Sequence, residues 1–164
     1  MINFSLTAEN GTKSYRKAIS AFSLLVLLPL LLSLINITFA ENWKIHFFPA
    51  AIILAAIVFG ATGGIIAGIS GSLYSALFLG NPYILVGNAL FGLLLAVFYK
   101  KSNKIVPSVL LAYLCELPWL ILTDYYRVRL PLIFIAQLVV VLFLANVLWA
   151  VLINMGLKQI RKLF

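Results

Sequence analysis

Long apolar runs separated by short polar breaks make up almost the whole chain, and most runs have the length of a membrane crossing. They lie near residues 16–38, 47–60, 62–79, 82–99, 105–123 and 131–156, which predicts six helices. The division at residues 59–64 is the open point, because Phe47 to Leu79 is an almost unbroken apolar stretch. It reads either as one long tilted helix or as two short ones folded at Phe59 to Gly64. Within it, Gly60, Gly64, Gly68 and Ser72 form one row of small residues at a spacing of four, and Gly63, Ala67, Gly71 and Ser75 form a second. That spacing puts each row on one helical face, and small side chains let helices approach closely where lipid gives no hydrophobic drive for association. The helix is expected to be a packing centre of its own bundle; docking of a separate membrane subunit on the same faces is the alternative.

Composition makes this an integral membrane protein. Hydrophobic residues are 64% of the chain and charged residues 10%, with a mean hydropathy of +1.13, so no water-soluble surface can be assembled from it. The expected fold class is an all-α integral membrane protein, a six-transmembrane-helix bundle with both termini cytoplasmic. Met1 to Ser14 forms a polar cytoplasmic tail without the order of a cleavable signal, residues 15–157 the membrane domain, and residues 158–164 a basic cytoplasmic tail. The single cysteine, Cys115, excludes an internal disulfide and reads as a buried small hydrophobe.

Charge chooses between the two readings of the central stretch. With six spans, Lys13, Arg16, Lys17, Lys100, Lys101, Lys104, Lys158, Arg161 and Lys162 fall on one side, and Lys44, Arg127 and Arg129 on the other. This satisfies the positive-inside rule; merging the two central runs moves Lys100, Lys101 and Lys104 outside and spoils the asymmetry. A tight cytoplasmic turn at Gly60 to Gly64 follows, where glycine supplies a positive φ. The net charge of +8 is then met by anionic lipid headgroups and needs no nucleic acid. Tyr15 and Tyr99 are placed at the inner interface, and Trp43, Tyr83, Tyr125 and Tyr126 at the outer one. Pro29 and Pro118 should disturb their helices locally, the freed carbonyls finding partners on neighbouring helices or in water.

Chemistry has to be sought among polar residues inside the spans, because such groups are costly in hydrocarbon unless partnered or facing a cavity. Glu116 is the only acid there, with Asn88 in the fourth span and Gln137 and Asn146 in the sixth. Counted from the outer helix ends, Asn88, Glu116 and Gln137 all lie roughly 9 to 12 Å below the outer surface at 1.5 Å per residue. One level of polar groups on three helices reads as a pocket opening outward, with Tyr113 and Trp119 on the face of Glu116 as aromatic walls. The other reading is a neutral acid bonded to an amide, serving packing alone. His46 with Glu41 falls short of a metal site, and no metal or cofactor is expected. Nucleophile–base pairs, phosphate loops and paired-acid motifs are absent from the sequence, so enzyme chemistry is not indicated.

The run FFPAAIILAAIVFGATGGIIAGISGSLYSALFLGNPYILVGNALFGLLLAVFYKK, with its glycine turn, small-residue third span, Gly87 and Asn88 in the fourth, and basic loop after it, resembles the centre of the substrate-binding S components of energy-coupling factor (ECF) transporters. The resemblance covers about residues 45–104 and extends over the rest as a six-helix plan. It implies a subunit that captures a vitamin or similar micronutrient from outside and works with a membrane coupling protein and two cytoplasmic ATPases. The family docks its coupling protein through small residues four apart on the first helix, a spacing held here by Ser14 and Ala18. The N-terminus lacks the histidine-bearing start of the cobalt and nickel members, which disfavours a metal substrate. MreD-type membrane proteins are similar in size, span number and central helix, and imply the alternative function: a scaffold that organises partners and needs no ligand pocket.

Overall fold

The structure is a computed structural model that describes residues 18–40 and 43–160. The expected N-terminal tail, Ser14 of the docking pair, Tyr15, Arg16, Lys17, Glu41 and residues 161–164 lie outside these residues, as do the side chains of Trp43, Lys44 and Lys158. The elements in chain order are α1 (Ala18–Ser33), β1 (Asn36–Ala40), β2 (Trp43–His46), α2 (Phe48–Leu79), α3 (Tyr83–Ser102), α4 (Ile105–Val128) and α5 (Leu132–Ile160). Four of them, α2 to α5, are long and apolar enough to cross a membrane; α1 is a shorter apolar helix. The protein is a largely helical, membrane-embedded bundle.

The first helix stops at Ser33 instead of running to residue 38. Asn36 to Ala40 pairs antiparallel with Trp43 to His46, with Ile37 opposite Ile45 and Thr38 opposite Lys44. β-branched and aromatic residues at Ile37, Thr38 and Phe39 favour the pleated backbone, and two hydrogen-bonded strands satisfy groups that a frayed helix end would leave open. Inside α1, Ser23–Leu27 adopts π-helical geometry ahead of Pro29. Proline has no N–H to return to Leu25, and the Leu25 carbonyl instead accepts the hydroxyl of Ser70 from α2 at 2.8 Å.

The central stretch is two helices that follow one another without a loop, broken at Gly60 with φ 72° and ψ −155°, a conformation essentially confined to glycine. The chain reverses there. A Cβ built on Gly71 would stand 3.1 Å from a ring carbon of Phe48, whereas 23 residues of straight helix would separate the two by about 34 Å. One on Gly63 would stand 2.7 Å from the Ala55 carbonyl. The two arms, residues 48–59 and 61–79, therefore lie antiparallel against each other. The reversal is sharper than the expected turn over Gly60 to Gly64, because Gly63 and Gly64 are already helical and buried.

Both rows of small residues are used inside the bundle. Gly64 meets the backbone of Gly92 and Gly68 that of Asn88, so this row seats the second arm of α2 on α3; Ser72, fully buried, continues it. Gly63 faces Ala55, Phe59 and Leu25, while Gly71 faces Phe48 and Pro29, so the other row seats the same arm on its sister arm and on α1. Ala18, by contrast, is exposed on α1. The core around these contacts gathers Ile52, Ile53, Ala67, Phe91, Leu95, Val109, Ala112 and Tyr113.

Two expectations about single side chains and one helix end need correction. Tyr99 is buried in the core at 8% exposure and is no interfacial anchor, although Tyr125 and Tyr126 are exposed as anchors should be. Cys115 is exposed, because the face of α4 that carries Glu116 takes the interior and turns its neighbour outward. The fifth predicted span does not stop at residue 123: α4 continues through Val128 as a π-helical turn, and Arg129 ends it in the left-handed region at φ 62°.

Candidate functional site

The ends of the bundle differ in what they carry. Gly60, Ser102 and Lys104 lie at one end, and Gly80, the start of α3 and the π-helical turn of α4 at the other, as follows from the antiparallel seating of α2 on α3. The second end holds the polar chemistry. Gly80 caps α2 in the left-handed region, and the chain then crosses through Asn81 and Pro82 into α3. Asn81 accepts the backbone N–H of Tyr83 through its side-chain oxygen at 3.1 Å and donates its amide to Asp124 at 3.3 Å. Asn81 and Asp124 are 6% and 7% exposed, so the α2–α3 connection is tied to the end of α4 by a buried polar pair.

One to two turns below, Glu116 projects from α4 toward α3. It is 8% exposed, and no hydrogen bond joins its carboxyl to a described residue. Space for it exists because position 87 is glycine: a Cβ there would lie 3.1 Å from Glu116 Oε1 and 3.3 Å from Trp119 Cδ1. Trp119 donates its indole N–H to the Tyr83 carbonyl at 3.2 Å, with the Tyr83 and Trp119 rings 6.4 Å apart and tilted by 59°. These two rings, with Leu122, Thr123, Tyr126 and Arg127, line a cleft of about 340 Å³. Trp119 thus borders both the acid and the cleft.

The remaining expected members sit elsewhere. Asn88 is half-buried and donates its amide back to the Ile84 carbonyl of its own helix at 3.1 Å, one residue around from the glycine that Glu116 faces. Gln137 is exposed on α5 and does not join the acid. Tyr113 is no wall of an open pocket: it is 2% exposed, its hydroxyl donates to the Val139 carbonyl at 2.6 Å, and its ring packs on Phe143. Asn146 is buried on α5 without a hydrogen bond to a described residue. Depth counted along a helix does not fix which way a side chain turns.

Missing from the expected site are Gly87, Tyr83, Asn81, Asp124 and Arg127. For Gly87 a signal was available: it lies beside Asn88 and opposite Glu116 in depth, and a glycine inside an apolar span marks a close approach. The Asn81–Asp124 pair was hidden because both residues fall in segments that read as loops.

Among the described residues no group of three or more histidine, cysteine or acidic side chains is placed to hold a metal ion. The site sets a buried carboxyl beside a wedge of aromatic surface. No protein-family model matches the chain, and neither a curated protein nor a solved structure does.

Proposed function

We propose that the protein is a substrate-binding membrane subunit that holds a small ligand beside Glu116 and releases it inward, as S components of ECF-type transporters do. The observation that carries this reading is Glu116 itself. A carboxyl group nine-tenths buried, with no hydrogen-bond partner among the described residues, costs more than packing alone returns and is retained where a ligand completes it. In this reading the chain crosses the membrane six times, with the arms of α2 counted separately and both termini cytoplasmic. The lysines at the Gly60 end, Lys100, Lys101 and Lys104, against Arg127 and Arg129 at the other, support that orientation. The ligand is then captured from outside. Energy comes from two partner ATPases through a membrane coupling protein. Its seat on this chain is not the glycine rows, which are filled, so an exposed face such as that of Ala18 is the place for it.

The scaffold reading draws on a different observation: Tyr113, Trp119 and Asn88 spend their polar atoms on backbone carbonyls, as purely structural residues do. One experiment separates the two. The detergent-purified protein is analysed by mass spectrometry for retained small molecules, and its melting temperature is measured against a panel of water-soluble vitamins, for the wild type and Glu116→Gln. A retained compound, or a stabilising vitamin whose effect falls at least tenfold in potency in Glu116→Gln, supports the binding subunit. No retained compound and no shift with any vitamin favours the scaffold.

A further inference from the structure

The last helix is the least enclosed of the four long ones. In its most apolar window 17% of the residues are buried, against 33–44% in α2, α3 and α4. Ile135, Ala145, Ala150 and Ile153 mark the side of α5 that meets the bundle. On the opposite side Ile133, Gln137, Val140, Leu144 and Val147 follow one another at alternating steps of four and three, and the same steps continue to Asn154. All of these are exposed except Val147, which is half-buried. Such steps keep one seam in line along two helices that supercoil to the left, the usual hand in membrane bundles. Lipid covers the apolar members of the seam at no cost, but not Gln137. Its amide lies about a turn and a half inside α5, with apolar residues for a full turn on either side. It makes no hydrogen bond to a described residue and faces hydrocarbon that has none to give.

We propose that this seam of α5 is the interface of a parallel homodimer, in which Gln137 pairs with the Gln137 of a second copy. Copies inserted by the same charge pattern share one orientation, so their α5 helices run parallel whichever side of the membrane is inside. A two-fold axis along the membrane normal then sets each seam residue against its own counterpart. A polar side chain that meets itself has to be donor and acceptor at once. The primary amide is both: each Gln137 gives an N–H to the other's carbonyl oxygen and takes one in return. Asn154, the other polar member of the seam, has the same property. Residues 133–154 carry no charge that a second copy would repel. An unrelated subunit would need no such self-complementarity, which is why the seam points to a second copy of this chain. The proposal stands apart from the reading of Glu116, which projects from α4 toward α3.

The test uses the full-length protein, labelled separately with donor and acceptor dyes and reconstituted together into phosphatidylcholine vesicles. Energy transfer is followed as the protein is diluted with lipid. The expected result is a dimer whose dissociation moves to a protein-to-lipid ratio about tenfold higher in Gln137→Leu, with Gln137→Asn in between. Gln137 is exposed and bonds to no described residue, so both variants should fold. Equal melting temperatures at a detergent excess that leaves every chain monomeric check this. A second arm reads the geometry. A cysteine on the seam comes within disulfide reach of its own counterpart, so Leu144→Cys in a Cys115→Ser background should cross-link on oxidation. Cys115 of the wild type, exposed on α4, should not. A wild type that is monomeric at every dilution leaves the seam to lipid or to a different subunit and overturns the proposal. So does a dissociation unmoved by Gln137→Leu, or a Leu144→Cys chain that cross-links no more than the wild type.

Discussion

Gly64 and Gly92 touch backbone to backbone where the second arm of α2 crosses α3. A Cβ on Gly64 would come 2.6 Å from the Gly92 carbonyl carbon, and one on Gly92 2.5 Å from that of Gly64. No rotamer relieves such a clash, because the obstructing atoms are main chain. Gly64→Val and Gly92→Val should each destabilise the bundle by about 1–3 kcal/mol or more by forcing the helices apart. Melting followed by circular dichroism in detergent checks it, and an unchanged transition would mean the crossing is not as close as described.

Gly60 and Gly80 separate strain from space. A Cβ at either meets nothing within 4 Å, so substitution tests backbone conformation alone. Gly60 sits at φ 72°, ψ −155°, and Gly80 at φ 63°, ψ 23°, the left-handed region that asparagine tolerates. Gly80→Asn should cost little, while Gly60→Asn costs about 1–3 kcal/mol, read as a difference in melting temperature.

Tyr113→Phe should lower stability by about 0.5–1.5 kcal/mol through loss of the bond to the Val139 carbonyl, and leave ligand affinity unchanged. Thermal melts with and without a stabilising ligand measure both effects. An affinity loss without a stability loss would return Tyr113 to the site.

Asn81→Ala leaves Asp124 buried without its amide partner, at a cost of about 1–3 kcal/mol. The loss is expected to be local. Hydrogen exchange should quicken across residues 123–128 and the start of α3 and leave the Gly64–Gly92 crossing protected.

Gly87→Ala fills the space that Glu116 and Trp119 share, with its new methyl 3.1 Å from the carboxyl oxygen. Both neighbours are side chains and can give way, so stability should change by less than about 1 kcal/mol. The acid is then displaced. Ligand-dependent stabilisation should fall several-fold, and Glu116→Gln on top of Gly87→Ala should add little, which a double-mutant cycle measures.

The membrane class and the reversal at Gly60 were legible in the sequence because they rest on summed properties: apolar run length, and a charge count that favours a turn. Glu116 was legible for a similar reason, as an acid with no other acid near it in the hydrocarbon. What escaped depends on direction. Gln137 lies at the right level on its helix and faces outward, and Asn88 misses the acid by one position around the helix. The hairpin at Asn36 to His46 escaped because its apolar residues extend the run of α1 without a break in hydropathy. The cross-strand register, Asn36 opposite His46 and Ile37 opposite Ile45, distinguishes strand from helix there.

The arm at residues 48–59 is about 18 Å long at 1.5 Å per residue, little more than half of a hydrocarbon core roughly 30 Å thick. Alone it is too short to cross a bilayer, and its continuation is the strand that ends at His46, whose carbonyl is held by the Trp149 indole. The arm is completed sideways by residues 61–79, which pack along it, and its end at His46 is held by Trp149 of α5, some hundred residues further along the chain. A span too short to stand alone is thus held by contacts both near to and far from it in sequence.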